Sequence, residues 1–259
     1  MEQQTTTTTA PVQASVKLSP ILELIKKSII TYKEGFVNFV SMAFVPFLGT
    51  LPLVGVVGLF ILSSSLLDGI AQTIVNIGLG LLGIAAVVIL IYVSLSAQAG
   101  MIFLIKNFIA KQKAKEAFME GRKYALQVLI VGLLTALFVI LWGLLFIIPG
   151  IIFAVYYSFS IYVLLIENQR GRAALKRSKE LVKGYWWAVF WRYAAVWLAL
   201  FLFSWILSIP LYFLGDKSLA AQIWSFLVSA AQWVISPISI IYSFSIYKEL
   251  IGIKGDNKL

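Results

Sequence analysis

Apolar residues in this chain fall into six long runs separated by short polar segments. A membrane-crossing helix needs about 20 mostly apolar residues. The runs 36–67, 78–105, 125–148, 186–214 and 220–247 reach that length, and 151–166 is a shorter one. The pattern predicts an all-α, polytopic membrane protein with six transmembrane helices arranged as three hairpins. Pro46, Gly49 and Pro52 stand inside the first run. They fit a kink, an outer helix end standing clear of the bilayer, or a broken helix of the kind that forms substrate sites in transporters. Pro237 predicts a kink in the last run.

Three of the polar segments look alike, and the first and third have a helical period of their own. In 18–35, Ile21, Ile25, Ser28, Ile29 and Tyr32 share one face, and Glu23, Lys26, Lys27 and Lys33 lie away from it. Ser19 is placed to cap this helix, and Pro20 fits its first turn. In 171–184, Ala174, Leu175, Ser178, Leu181 and Val182 oppose Arg172, Lys176, Lys179 and Lys183. Such helices suit the membrane interface. Lys26-Lys27-Ser28 precedes Gly35-Phe36, Lys176-Arg177-Ser178 precedes Gly184-Tyr185, and Gly121 precedes Tyr124 in the middle segment. The chain therefore reads as three units, about 18–106, 107–166 and 167–250. Each is a cytoplasmic interfacial helix, a glycine elbow that lets the backbone turn, and a hairpin. The Thr-rich residues 1–17 are expected to be a disordered tail, without the apolar core of a removable signal. Residues 251–259 are expected to form a C-terminal tail.

Composition agrees with this plan. Hydrophobic residues make up 61% of the 259, and charged ones only 12%. A soluble domain is about 45–50% apolar and about 25% charged, so a soluble globular enzyme is excluded. Counted along the seven polar segments, Lys+Arg run 4, 0, 6, 0, 6, 1, 3, with Arg192 left inside the fifth run. Positive residues mark the cytoplasmic side. Both termini are thus expected in the cytoplasm, with the protein in the cell (cytoplasmic) membrane. The net charge of +10 lies almost wholly on one face. It serves topology and, on a second reading, recruits anionic lipid head groups. No nucleic-acid readout motif accompanies it.

There is no His and no Cys. This removes the commonest metal ligands, the commonest general base and thiol nucleophiles. The spans contain no clustered acids, so no catalytic residue, metal site or cofactor is expected.

The segment 149–187 carries the most specific pattern. Pro149-Gly150 opens an apolar span that ends at Glu167; Ala174, Leu175, Arg177 and Ser178 follow, then Leu181, Gly184 and Trp187. Over about 40 residues this resembles a prokaryotic integral-membrane family labelled "glycerophosphoryl diester phosphodiesterase membrane domain". The resemblance implies six membrane helices. It does not imply catalysis, because the hydrolase of fused members is a separate domain rich in acidic residues and His.

Polar residues inside the spans are the remaining candidates. Ser225, Ser229, Gln232, Ser236, Ser239 and Ser243 step by 4, 3, 4, 3, 4 and share one helix face. Ser94 and Gln98 share a face in the second span, and Ser158 and Tyr162 in the fourth. These fit close helix packing, or a central polar cavity lined by Ser94, Gln98, Ser158, Tyr162, Ser229, Gln232, Ser236 and Ser239. Arg192 is expected to snorkel to the cytoplasmic surface, or to pair with Glu167. Glu167 and Arg177 are expected to pair at the elbow, where an exposed pair contributes only about 0–1 kcal/mol. The leading functional reading is a non-catalytic membrane module that contacts membrane lipids or protein partners. The alternative is a transporter or export pathway for a neutral or lipid-like substrate.

The absence of Cys makes the orientation directly testable. Asp68→Cys is expected to react with a membrane-impermeant maleimide on intact cells, and Gln112→Cys and Arg172→Cys only after permeabilisation. The reverse labelling would overturn the orientation.

Overall fold

The computed structural model describes residues 18–214 and 218–254. The expected tail 1–17, the end of the C-terminal tail and the centre of the link before the last run lie outside the described residues. Among the described residues every regular element is helical. The helices are α1 (Ile21–Glu34), α2 (Phe36–Leu66), α3 (Gly69–Lys106), α4 (Ala114–Gly121), α5 (Ala125–Leu145) and α6 (Ile147–Tyr157). They continue with α7 (Ser160–Glu167), α8 (Arg172–Val182), α9 (Trp186–Ser208), α10 (Leu211–Leu214), α11 (Leu219–Ile235) and α12 (Pro237–Ile253).

Six stretches are long and apolar enough to cross a membrane: Phe36–Leu66, Gly69–Lys106, Ala114–Leu145, Ile147–Glu167, Trp186–Phe213 and Leu219–Ile253. The chain is a multi-pass membrane protein. The first span is not broken, because α2 runs continuously through Pro46 and Pro52. Its 31 residues measure about 46 Å, well beyond the roughly 30 Å of a hydrocarbon core. Four other spans are interrupted: the third at the 3-10 turn Arg122–Tyr124 between α4 and α5, the fourth between α6 and α7 although it has no Pro or Gly there, the fifth at Ile209-Pro210 between α9 and α10, and the sixth between α11 and α12, where Pro237 is the first residue of the second helix.

The third and fourth spans are joined by Phe146, whose backbone is extended, not by Pro149-Gly150. Those two residues lie in the first turn of α6, where a proline's missing N–H costs nothing. Gly150 is buried there, and a Cβ on it would meet the Cα of Gly143 at 2.9 Å. Helix α12 continues through Ile251, which is buried, to Ile253.

Burial is concentrated at one end of the long helices. It takes in Phe39, Met42 and Ala43 at the start of α2 and, apart from exposed Gln98, the run from Ser96 to Ile105 at the end of α3. Ala125, Val128 and Val131 begin α5, Val189 and Arg192 begin α9, and Tyr247, Leu250 and Ile251 close α12. This is also the end that carries the Lys and Arg segments. In the most apolar window of every span but the fourth, 11% or less is buried inside the protein. The chain thus forms a packed base from which apolar helix halves extend with little mutual cover. Helix α1 packs chiefly against α12, so the first and last helices of the chain meet in the base.

The three elbow glycines work differently from one another. Gly184 takes φ +90°, a conformation that L side chains avoid, and turns α8 into α9. Gly35 has an ordinary φ of −106° and is small because the rings of Phe39 and Phe108 cover it. Gly121 lies directly on the backbone of Gly100 and Ser96, which brings α4 onto α3.

Gly121→Ala is therefore expected to destabilise the protein by about 1–3 kcal/mol through overpacking. Gly132→Ala, where a Cβ meets nothing within 4 Å, should be neutral. Thermal unfolding in detergent micelles compares the two, and equal midpoints would refute the close approach.

Candidate functional site

The residues of the 149–187 pattern meet in two places. Pro149 and Gly150 lie at the α5–α6 turn, and the others gather around the α6–α7 break and the elbow that follows. The break frees helix hydrogen-bonding groups in a membrane span, and Ser178 takes two of them. Its hydroxyl donates to the Tyr156 carbonyl at 2.7 Å and accepts from the Phe159 N–H at 3.2 Å. Ser178 is fully buried, with Ala174, Leu175 and Leu181 beside it on the same face of α8. That apolar face packs on α5, α6 and α7. The Trp186 indole N–H donates to the Ile152 carbonyl at 3.1 Å, and Trp187 stands 64% exposed at the start of α9.

The elbow itself is held by an ion pair. Glu167 ends α7, Asn168 takes a left-handed φ of 56°, and Gly171 φ 55° reverses the chain into α8. The Arg177 Nε donates to Glu167 Oε2 at 2.9 Å, with only 5% of the Glu167 side chain and 17% of the Arg177 side chain exposed. The Tyr247 hydroxyl donates to Glu167 Oε1 at 3.0 Å, and Gln169 Nε2 to Oε2 at 3.4 Å. This is a buried pair, not the exposed one expected from sequence. Both carboxylate oxygens are satisfied, as a buried charge requires. Rings of Phe159, Tyr162, Phe244 and Tyr247 pack around it with centroids 5.6–6.4 Å apart.

Arg192 neither snorkels nor pairs with Glu167. It is 9% exposed and reaches back to the start of α1. Its Nη2 donates to the carbonyls of Leu18 at 3.0 Å and Ser19 at 2.6 Å, and its Nη1 to Ala188 at 2.9 Å. Ser19 does not cap α1; Pro20 holds that position, and the Ser19 N–H donates to Glu249 Oε2 at 3.0 Å. The far end of α1 is tied by Tyr32, whose hydroxyl donates to the Val234 carbonyl beside the α11–α12 break. Burial pushes that phenol's pKa upward, which keeps it protonated and donating.

The polar residues of the spans separate into three adjoining cavities. Gln98, Ser158, Tyr162, Tyr193 and Ser243 line one of about 430 Å³. Ser94, Gln98 and Ser236 line a second of about 330 Å³. Gln232, Ser236 and Ser239 line a third of about 380 Å³. Ser229 lines none of these three; it is exposed and donates to its own helix at Ser225. The serine stripe does not bridge helices. Ser225, Ser236, Ser239 and Ser243 also return to carbonyls of their own segment. Ser236 thereby supplies the Trp233 carbonyl, which Pro237 cannot. Gln232 does cross, donating to Ser204 at 2.7 Å.

In comparisons with known proteins no family model matches the chain, and neither does any curated protein or solved structure.

Arg177→Ala is expected to cost about 3–5 kcal/mol, because Glu167 would stay buried without its cation. Ser178→Ala should cost about 1–3 kcal/mol. Chemical unfolding in micelles followed by tryptophan emission measures both, and a loss under about 1 kcal/mol for Arg177→Ala would show that the pair does not hold the elbow.

Proposed function

We propose that the protein is a non-catalytic module of the cytoplasmic membrane that gathers anionic lipid head groups around its cytoplasmic base, with both termini on that side. The observation that carries this reading is the surface of α1. Its buried face, Leu24, Ser28 and Tyr32, is spent on the protein. A second apolar edge, Leu22, Ile29 and Ile30, stays exposed with Lys26 and Lys33 around it. A helix with one side on protein, one edge apolar and lysines between fits the boundary of hydrocarbon and head groups, where long cationic side chains reach phosphates.

The other basic segments extend the same face. Helix α4 exposes Met119 beside Lys115, and Arg122 and Lys123 follow it. On α8, Lys176 and Lys179 are exposed, and the Lys179 ammonium sits 5.4 Å from the Phe153 ring centroid. Arg177 does not belong to this face, since it turns inward to Glu167. Each exposed Lys or Arg near an anionic surface contributes about 1 kcal/mol. The reading also takes in the family likeness of 149–187, as a set of structural residues that shape the base.

The test is lipid selectivity after reconstitution. Spin-labelled phosphatidylglycerol is expected to associate several-fold more strongly than spin-labelled phosphatidylcholine. Replacing Lys26, Lys33, Lys176 and Lys179 together by Gln should remove most of that preference, and high salt should weaken it. Equal association of the two lipids with the parent protein would overturn the proposal.

A further inference from the structure

The cavity of about 430 Å³ lies between α3, α6, α7, α9 and α12, where the packed base gives way to the extended helix halves. Its polar groups sit at similar depths. Gln98 precedes Lys106 by eight residues and Tyr193 follows Trp186 by seven, which places both about 10–12 Å in from the charged ends of their helices. Both residues belong to stretches long and apolar enough to cross a membrane, where a polar group without a partner is costly.

Most of these groups are already satisfied. Ser158 donates to Val155, Ser243 to Ser239 and Tyr162 to the Ile240 carbonyl. The Tyr193 phenol faces the Ser158 and Ser243 hydroxyls. The Gln98 amide is different. It is exposed, it lines both this cavity and the adjoining one of about 330 Å³, and among the described residues its two donors and its acceptor have no hydrogen-bond partner in the protein. The space far exceeds the roughly 30 Å³ of one water. The rest of the lining is apolar, including Ile102, Ile151, Trp197 and Ile240. Ile151 is 45% and Trp197 71% exposed, so the mouth opens sideways toward the bilayer. Predominantly apolar walls with a few placed hydrogen-bonding groups are the usual form of a small-molecule site.

The charge pattern narrows the occupant. The described lining contains no Lys, Arg, Asp or Glu. Arg192, next to Tyr193 in the chain, is turned to the Leu18 and Ser19 carbonyls. Glu167 is held by Arg177 and Tyr247. A phosphate would find no counter-charge here and would be expensive to bury.

We infer that this cavity binds one uncharged amphiphile, entering from the bilayer, whose hydroxyl or carbonyl end hydrogen-bonds to the Gln98 amide beside Tyr193 while its hydrocarbon leaves past Ile151 and Trp197. The chemistry fits a diacylglycerol-like or long-chain alcohol end group. It is separate from the head-group face, because no basic residue of that face lines the cavity.

The protein in nanodiscs is photolabelled with a diazirine-bearing dioleoylglycerol and, separately, with the matching phosphatidic acid. Labelled peptides are mapped by mass spectrometry. The glycerol probe is expected to mark residues around the cavity, and excess unlabelled dioleoylglycerol or oleyl alcohol should compete; competition by only one of them identifies which end group is preferred. Gln98→Leu, close in shape, should lower labelling about tenfold, the equivalent of one or two lost hydrogen bonds. Ile240→Trp, which fills the cavity and keeps Gln98, should lower it as well. Equal cavity labelling by the phosphatidic acid probe, or labelling unchanged by both substitutions in folded protein, would overturn the inference. Phosphatidylglycerol selectivity of the Gln98→Leu protein should be unchanged, which separates this result from the head-group proposal.

Discussion

A backbone amide or carbonyl in a bilayer has no water to turn to, and the fold is organised around that shortage. An uninterrupted helix satisfies its own groups, but this chain interrupts four of its six spans. At two of these interruptions, in the fourth and sixth spans, a side chain supplies what the helix has lost. Ser178 stands in at the α6–α7 break, bonding Tyr156 and Phe159. Ser236 serves the Trp233 carbonyl that Pro237 leaves without a donor. Tyr32 reaches across from α1 to the neighbouring Val234. The start of α1 receives Arg192 and Glu249 in the same way. One of these repairs is made within one segment, and four tie separate helices together. The polar contacts that repair the backbone therefore also assemble the base.

This explains why the structure is dense at one end and open at the other. Lipid tails are as apolar as leucine, so no hydrophobic force draws the spans together within the bilayer. Helices associate where small residues allow close approach or where polar groups need one another. Both conditions are met near the charged ends, at Gly121 on Gly100 and at Glu167 with Arg177 and Tyr247. Further along, α2 and α3 present Val54, Leu62, Ile70 and Leu81 to the outside, and lipid contact suits them as well as protein contact would.

The parts of this architecture that were legible in sequence are those governed by local pattern. Six apolar runs yield six spans because length and hydropathy decide membrane insertion. The amphipathic period of 18–35 and 171–184 yields α1 and α8, and the spacing of Glu167 and Arg177 places them at one elbow. The rest depends on partners far away in the chain. Nothing around Arg192 marks Leu18 and Ser19 as its acceptors, 174 and 173 residues away, and local pattern alone favours a snorkelling side chain. The break after Tyr157 has no Pro or Gly to announce it and exists because Ser178 supports it from another helix. The serine stripe looked like a packing face by its spacing. A hydroxyl that bonds its own helix carbonyl satisfies itself without any neighbour, so spacing alone carries no information about contact.

Gln98 stands out against this background of self-sufficiency. Most serines of the spans close on their own backbone, the buried tyrosines find carbonyls or a carboxylate, and the buried Arg192 gives both its Nη atoms to carbonyls. A glutamine amide needs both donors and acceptors to be satisfied. Leucine would cost nothing at the same point on α3. The Gln98 amide, open at the junction of base and bilayer, is a polar group of the spans that packing and backbone repair among the described residues do not account for. A polar end group entering from the lipid is the partner that accounts for it.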